Sequence, residues 1–422
     1  MATAVAPSAS RDDFHVLIIG AGSASCHPLE RATANLNVGV TGLLLAQALQ
    51  ESEISYSIFD TEDPTALNRT REWGMSIHWS RPMLDRLLPP SLLARLSEAQ
   101  VDPWVNSIKA EDYTVPFYNG KTGEHIVEVP MRNNVRVSRR KMRSLLREGV
   151  DIQFGQQLEA ISHADGGVTV TFASGRAEKG SIVIGTDGPQ SKVRQILLGE
   201  KAATQQVGLI LYNLNVCYGN AERALKVRSL HPVNTVALQP DRGLSVWTSI
   251  QDVPDPDKPE TWSFQVMPTW MDDGKKHKGG AEGLAELKEI ALSLVDPWKS
   301  SLLWIPEGTE VTPNNVAYWV TVPWDNQAGT VTLAGDAAHP LPPHRGQGLN
   351  HCIADVTNLR KAILDIKGGR SQPDAISVYD AELVTRGGAE VEMSRKNSLL
   401  VHDLEKFMES PVLKMGYVRG KN

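Results

Sequence analysis

The sequence predicts an α/β fold: a Rossmann-like domain on a parallel sheet, an inserted antiparallel-sheet domain, and C-terminal helices. Three observations predict it. His15-Val-Leu-Ile-Ile19 is a short apolar run ending at Gly20, as a buried parallel strand does. Val40 to Leu49 reads as a strongly apolar helix, and Ser55-Tyr-Ser-Ile-Phe-Asp60 as a second strand ending in an acid. Strand, glycine turn, helix, strand, acid is the order of a dinucleotide-binding unit. Residues 201–324 then change character: they are rich in Pro and Trp and alternate in places, which reads as a mostly antiparallel sheet.

The remaining elements follow in chain order. Pro82 to Glu98 is a helical stretch broken by Pro89-Pro90. Strand-like segments around Ile108–Tyr118 and Glu124–Val129 are separated by Asn119-Gly120 and Thr122-Gly123, which are hairpin signals. Arg139 to Arg147 is a helix, and Asp151 to Phe172 holds strands around an Asp165-Gly-Gly167 turn. Val168-Thr-Val-Thr-Phe172 alternates cleanly, as a half-exposed strand does. Ser181–Gly185 and Val331–Gly335 read as buried strands. Gly346 to Ile363 is a loop leading into a helix, and the tail from Val378 is largely helical.

Composition narrows the function classes. The chain has 422 residues, 41% of them hydrophobic, enough for a large core in two or three units. Its net charge is −6, which gives no electrostatic reason to expect nucleic acid. The one basic stretch runs from Arg132 to Arg143. Cys26, Cys217 and Cys352 are odd in number and far apart, so neither a disulfide framework nor a zinc site is expected. Met1 to Ser10 make no signal peptide, and no run of about 18 apolar residues suggests a membrane span. A soluble cytoplasmic protein is the expectation.

The glycine turn is interrupted. Gly20-Ala-Gly22 begins as a nucleotide fingerprint should: the first glycine makes the tight turn, and the second lets a pyrophosphate approach the backbone. The third glycine should follow three residues after Gly22, yet a polar stretch from Ser23 to Gly39 intervenes. Joining Gly22 to Val40 gives Gly-Ala-Gly-Val-Thr-Gly, complete at Gly42. The intervening segment reads as a retained intron or gene-model error. The competing reading is a genuine surface loop, which would separate the turn from the helix N-terminus whose amides should face the phosphate.

Two further motifs lie downstream. Asp187-Gly188, with Ser191 and Arg194, follows a buried strand. Leu333-Ala-Gly-Asp336-Ala-Ala-His339 leads through Pro342-Pro343 to Gly346-Gln-Gly348-Leu349-Asn350. A carboxylate after a strand can hold a ribityl hydroxyl, and the Gly346-Gln-Gly348 turn opens a helix whose amides can stabilise negative charge.

With these motifs in place, the chain resembles the group A FAD-dependent monooxygenases built on the para-hydroxybenzoate hydroxylase fold. The match in order and spacing covers residues 14–365, and the phrase Arg345 to Ile353 is similar to fungal secondary-metabolism members. The resemblance implies FAD as cofactor and NAD(P)H as co-substrate. It implies that Gly20, Gly22, Gly42, Asp60, Arg139, Asp187, Gly188, Asp336, Gly346, Gly348, Leu349 and Asn350 bind the cofactor. Asp60 would take the adenosine ribose, Arg139 (or Arg140) the FAD, Asp336 the ribityl or pyrophosphate part, and Gly348–Asn350 the ring edge. The domains implied are 12–200 and 325–365 for FAD, 201–324 for substrate, and 366–422 as a C-terminal helical segment. Arg69, Arg71 and His78 stand in a segment that the family places near the flavin and NAD(P)H; otherwise they are surface residues.

The resemblance further implies reaction with O2 through a flavin C4a-hydroperoxide and oxygen transfer to an electron-rich small molecule, aromatic or polycyclic. The protein then supplies position, dryness and charge stabilisation rather than an obligatory acid or base. His339 and His344 lack a ligand set with metal spacing, so no metal is expected. A flavin halogenase would carry an upstream tryptophan before Trp304-Ile-Pro306, where Leu302 stands. An inactive FAD-fold binding protein, a flavin-linked reductase and a Baeyer–Villiger oxygenase remain the alternatives.

Overall fold

The computed structural model describes residues 14–20, 39–62, 72–105, 109–164 and 167–417. The first sheet is five-stranded and parallel, in the order Val331–Leu333, Ile182–Gly185, His15–Ile19, Ser55–Phe59, Ile152–Gln153. His15–Ile19 lies in the middle because both of its faces are covered. Val16, Leu17 and Ile18 are fully buried, beside Leu43, Leu44 and Leu45 of the helix Val40–Gln50. Burying each such side chain stabilises the fold by about 1.5–3 kcal/mol. The near-continuous apolar pattern of Val40–Leu49 thus reflects a helix enclosed on all sides rather than an amphipathic one.

The second sheet has eight strands. Its path runs Pro313–Tyr318, Gln205–Tyr212, Ser263–Met271, Leu244–Asp252, Asn234–Gln239, Thr114–Asn119, His125–Pro130, and Leu214–Cys217 pairs with Ser263–Met271. All pairings are antiparallel except Asn234–Gln239 with Thr114–Asn119. The Asn119–Gly123 hairpin therefore joins this sheet, although it precedes residue 201 in the chain. Its own core includes Phe117, Val246, Phe264, Val266 and Trp298. Two smaller sheets remain: three antiparallel strands, Ala177–Gly180, Gly167–Phe172 and Leu158–Ala164, and a two-stranded ribbon, Gly74–Ile77 with Val135–Ser138.

The helical stretch over 82–98, read as broken at Pro89-Pro90, consists of three short turns, Arg81–Leu84, Pro90–Leu93 and Leu96–Ala99; the first break falls at Pro89-Pro90, which cannot continue a helical hydrogen-bond ladder. The alternating segment 167–172 is half-buried with strict period two, as its pattern predicts. The C-terminal part carries two long helices, Gly348–Lys367 and Gln372–Leu400, the latter starting earlier than Val378. Ser371 caps it by accepting from the Asp374 N–H, which marks its true start.

Candidate active site

The parallel strands deliver their C-terminal ends to one place. Gly20 ends the central strand with φ +101°, and a Cβ there would lie 2.6 Å from the Asp187 Cα. A Cβ on Gly42 would overlap the Gly20 carbonyl oxygen, and one on Gly335 would overlap the Thr41 hydroxyl. Thr186 Oγ1 donates to the Gly20 carbonyl at 2.6 Å. Glycine here permits close approach of a strand, a helix and two loops. Gly42 thus occupies the helix-packing position of the fingerprint although 21 residues separate it from Gly20 in sequence. Gly22 and residues 23–38 of the interrupting segment lie outside the described residues, as do Arg69 and Arg71.

Asp60 follows the neighbouring strand and is buried; its Oδ1 accepts from the Glu62 N–H at 2.9 Å. Glu62 in turn pairs with Arg143 at 2.9 Å. Arg139 begins the helix Arg139–Leu146, whose N-cap Ser138 accepts from the Lys141 N–H. Its guanidinium lies 4.5 Å from the Trp73 ring centroid.

The two downstream motifs are bound to each other. The Asp187 carboxylate caps the helix Lys192–Leu198, accepting from Ser191 Oγ at 2.5 Å and from the Lys192 N–H at 2.7 Å. Gly188 adopts φ +81°, completing the turn before that helix. Arg194 is fully buried and donates to the carbonyls of Ala337 at 2.8 Å, Pro189 at 2.5 Å and Ala202 at 3.1 Å. This clamp explains the fixed spacing: Arg194 satisfies loop carbonyls that would otherwise be buried without donors. Asp336 stands beside it, buried, with no hydrogen-bond partner for Oδ1 among the described residues. Burial, reinforced by the Asp355 charge, pushes its carboxyl well above the ordinary carboxylate range; Arg194 offsets only part of this.

A chain of buried charges supports the loop from behind. Asp355 accepts from the Gly335 N–H at 2.7 Å, pairs with His339 at 2.7 Å and receives Arg386 at 2.6 Å. Burial opposes its ionisation, but His339 and Arg386 outweigh that and hold the carboxyl well below its usual range. Arg386 also meets His351 at 2.9 Å, and Arg345 pairs with Glu390 at 2.5 Å. The helix Gln372–Leu400 thereby braces both ends of the segment 335–351.

Gly346 has φ +59° and leads through Gln347 into the helix Gly348–Lys367, which has no side-chain N-cap. Gly348 and Leu349 line a cavity at that N-terminus. The side chain of Asn350 faces the ribbon: Oδ1 accepts from the His78 N–H at 3.0 Å and Ser80 Oγ at 2.8 Å, while Nδ2 donates to the Ser76 carbonyl at 2.9 Å. Asn350 thus fixes where the helix begins. Burial pulls the His78 ring down to about 4, so it is neutral at physiological pH.

The cavity spans about 950 Å³ of empty space, part of it open to solvent. One wall is the loop 343–349, and the opposite wall is the antiparallel sheet with Val236, Ser245, Trp247, Gln265, Met267 and Thr269. This arrangement fits a flavin by its own chemistry. Gly20, Gly42 and Gly335 let the strand ends, the helix and the loops pack closely together, Asp336 offers an unpartnered buried oxygen, and uncapped amides open on the cavity.

Comparison with known proteins decides the family. Residues 129–394 match the FAD binding domain family. The chain is 40% identical to the FAD-dependent monooxygenase phnB of Penicillium herquei, over 96% of this chain and 95% of that protein. The chain belongs to the FAD-dependent monooxygenases. This monooxygenase is also 35% identical to the FAD-dependent monooxygenase cctM of Talaromyces islandicus, over 90% of this chain and 95% of that one. Its fold is shared with Klebsiella pneumoniae HpxO in complex with FAD and uric acid, at TM-score 0.70 and 18% identity, covering 94% and 91% of the two chains. A similar likeness holds for 2,6-dihydroxypyridine-3-hydroxylase from Arthrobacter nicotinovorans, at TM-score 0.69 and 17% identity, covering 97% of each. FAD is the cofactor of this monooxygenase. No helix among its described residues is long and apolar enough to cross a membrane.

Several site residues escaped the sequence motifs. Arg136, Trp247 and Gln265 line the cavity from strands that carry no recognisable signature. Arg386 and Glu390 had a signal: with Glu382 they repeat every four residues and share one face of a helix. Their partners Asp355 and Arg345 could not be paired with them from sequence.

Proposed function

We propose that this monooxygenase uses NAD(P)H and O2 to insert one oxygen atom into an electron-rich organic molecule, by hydroxylation or epoxidation. The substrate is an aromatic or polycyclic secondary metabolite. The observation that carries this reading is the cavity itself, lying between the loop 343–349 and the antiparallel sheet. Bound FAD supplies the reduction by NAD(P)H and the activation of oxygen. The chain does the rest. Trp247, Phe117, Met131 and Met267 offer a broad apolar surface for a planar body. The Gly348 N-terminus supplies amides where negative charge develops on the ring edge.

In the same reading Asp60 holds the adenosine ribose, Arg139 the pyrophosphate side, and Asp336 the ribityl chain. Gly20, Gly22, Gly42 and Gly188 give the phosphates room. Support comes from the convergence of the strand ends on Gly20, Asp187 and Gly335. The test is direct: incubate the flavin-loaded protein with NAD(P)H, 18O2 and a panel of polyphenols and polyenes. Incorporation of one labelled atom with matched NAD(P)H oxidation is expected. A protein that binds FAD but oxidises NAD(P)H with no labelled product across the panel would favour a reductase, and one that never retains FAD an inactive relative.

A further inference from the structure

Four arginines outside the helix Arg139–Leu146 are almost wholly enclosed: Arg136, Arg194, Arg345 and Arg386. Three of them face carboxylates or loop carbonyls. Arg345 pairs with Glu390, Arg386 with Asp355, and Arg194 donates to three loop carbonyls with Asp187 and Asp336 in its field. Arg136 differs. It is 8% exposed, and no carboxylate lies within ion-pair reach of it among the described residues. Its Nη2 donates to Gln265 Oε1 at 2.7 Å and Ser249 Oγ at 3.0 Å, both neutral, and its Nε has no partner among the described residues.

The surroundings keep the guanidinium in place rather than neutralising it. Gln265 is itself oriented, donating to Asn213 Oδ1 at 2.7 Å, so its oxygen must face Arg136 and the Gly74 N–H. Gly74 leaves room that any Cβ would fill, since one there would lie 2.5 Å from Arg136 Nη2. Trp247 flanks the guanidinium at 5.2 Å from its ring centroid. The ionisable groups that raise its proton affinity are two buried phenols, Tyr113 and Tyr417, which burial keeps protonated. Burial draws the guanidinium down to about 10, so it is still a cation at neutral pH. A buried cation without a counter-charge is costly, and the deficit is relieved when an anion enters the same space.

Resting on the reading that this cavity takes the substrate, we propose that Arg136 is its specificity-determining residue. It selects a planar, largely apolar molecule bound as a conjugated oxygen anion. Such an anion is a ring carboxylate or an ionised ring hydroxyl; both match the planar donors of a guanidinium. Of the two, an ionised ring hydroxyl also carries electron density into the ring, which suits a molecule that must accept an electrophilic oxygen; a ring carboxylate serves only to hold the molecule in place.

The experiment uses the flavin-loaded enzyme and two matched pairs of probes. One pair is 2-naphthoate and neutral 2-naphthamide; the other is 2-hydroxy-1,4-naphthoquinone, ionised at neutral pH, and its methyl ether. Binding is read by calorimetry, and flavin content is checked by absorbance. Wild type is expected to bind at least one anion about tenfold or more tighter than its neutral partner. The pair that shows the preference names the oxygen. Arg136→Met should abolish the preference while retaining FAD, and Arg136→Lys should keep part of it. Equal binding within both pairs, failure of both anions at millimolar concentration, or a preference that survives Arg136→Met would each overturn the proposal. Should Arg136→Met not fold, the wild-type preference and the Lys variant still decide it. Labelled-oxygen insertion into neutral substrates alone would leave the monooxygenase reading standing and sink this one.

Discussion

Asp336 concentrates the site's logic at the scale of one residue. Its Oδ1 is buried with no hydrogen-bond partner among the described residues, and burial drives its carboxyl toward the protonated form. Such a group destabilises the empty protein and stabilises the loaded one. Asp336→Ala is therefore expected to weaken FAD binding by roughly twofold to tenfold, the worth of one neutral hydrogen bond. The melting temperature of the flavin-free protein should stay level or rise. A fall in both would mark Asp336 as a structural acid instead. Asp187 makes the contrast: its carboxylate is engaged on Ser191 and the Lys192 N–H. Its side chain serves the helix, and Gly188 at φ +81° completes the turn before it.

At the scale of elements, the helix Val40–Gln50 is seated by contact rather than by capping. Its N-cap Gly39 makes no side-chain cap bond, while Gly42 rests on the Gly20 carbonyl. Gly42→Ala tests this seat. Helix propensity favours alanine by about 1 kcal/mol. The new Cβ meets backbone, which cannot swing aside, at a cost of about 1–3 kcal/mol and with loss of cofactor affinity. A net fall in thermal stability together with flavin loss is expected. The interrupting segment belongs to the same scale. Deleting Ser23–Gly39 joins Gly22 to Val40 and completes the fingerprint. More FAD per protein is expected after purification, whereas equal or lower occupancy would make the segment part of the working site.

Across the whole molecule, burial of neutral histidines makes the fold acid-sensitive. His78, His231, His351 and His402 are all drawn down to about 4, chiefly by burial. Between about 4 and 6.5 the unfolded chain binds a proton at each site and the folded chain does not. Stability therefore rises with pH through that window, by about 1.4 kcal/mol per pH unit for each such group, and levels off above it. Asp355 acts lower: its depressed carboxyl contributes stability above about 3.9 that is lost as pH falls through the folded value. Urea midpoints should fall steeply between pH 7 and pH 5. A flat profile would show that these histidines already exchange protons with solvent in the folded state.

Much of the nucleotide half was legible in the sequence. Strand ends announce themselves by apolar runs closing on glycine or an acid, and His15–Ile19, Ser55–Asp60 and Val331–Asp336 all do so. Periodicity likewise identified the half-exposed strand from its alternation over Val168–Phe172. The cavity was not legible, because its wall is assembled from strands distant in the chain, where alternation reports burial but not what is faced. Arg136 looked like one charge in a basic stretch; only the fold turns it away from solvent and brings Gln265 and Ser249 to it. The sequence by itself determined the family, the cofactor and the order of the elements, since short-range spacing encodes turns and helix starts. The tertiary structure alone decided which buried charges meet and which one is left facing the cavity, since long-range pairing depends on packing that no local pattern records.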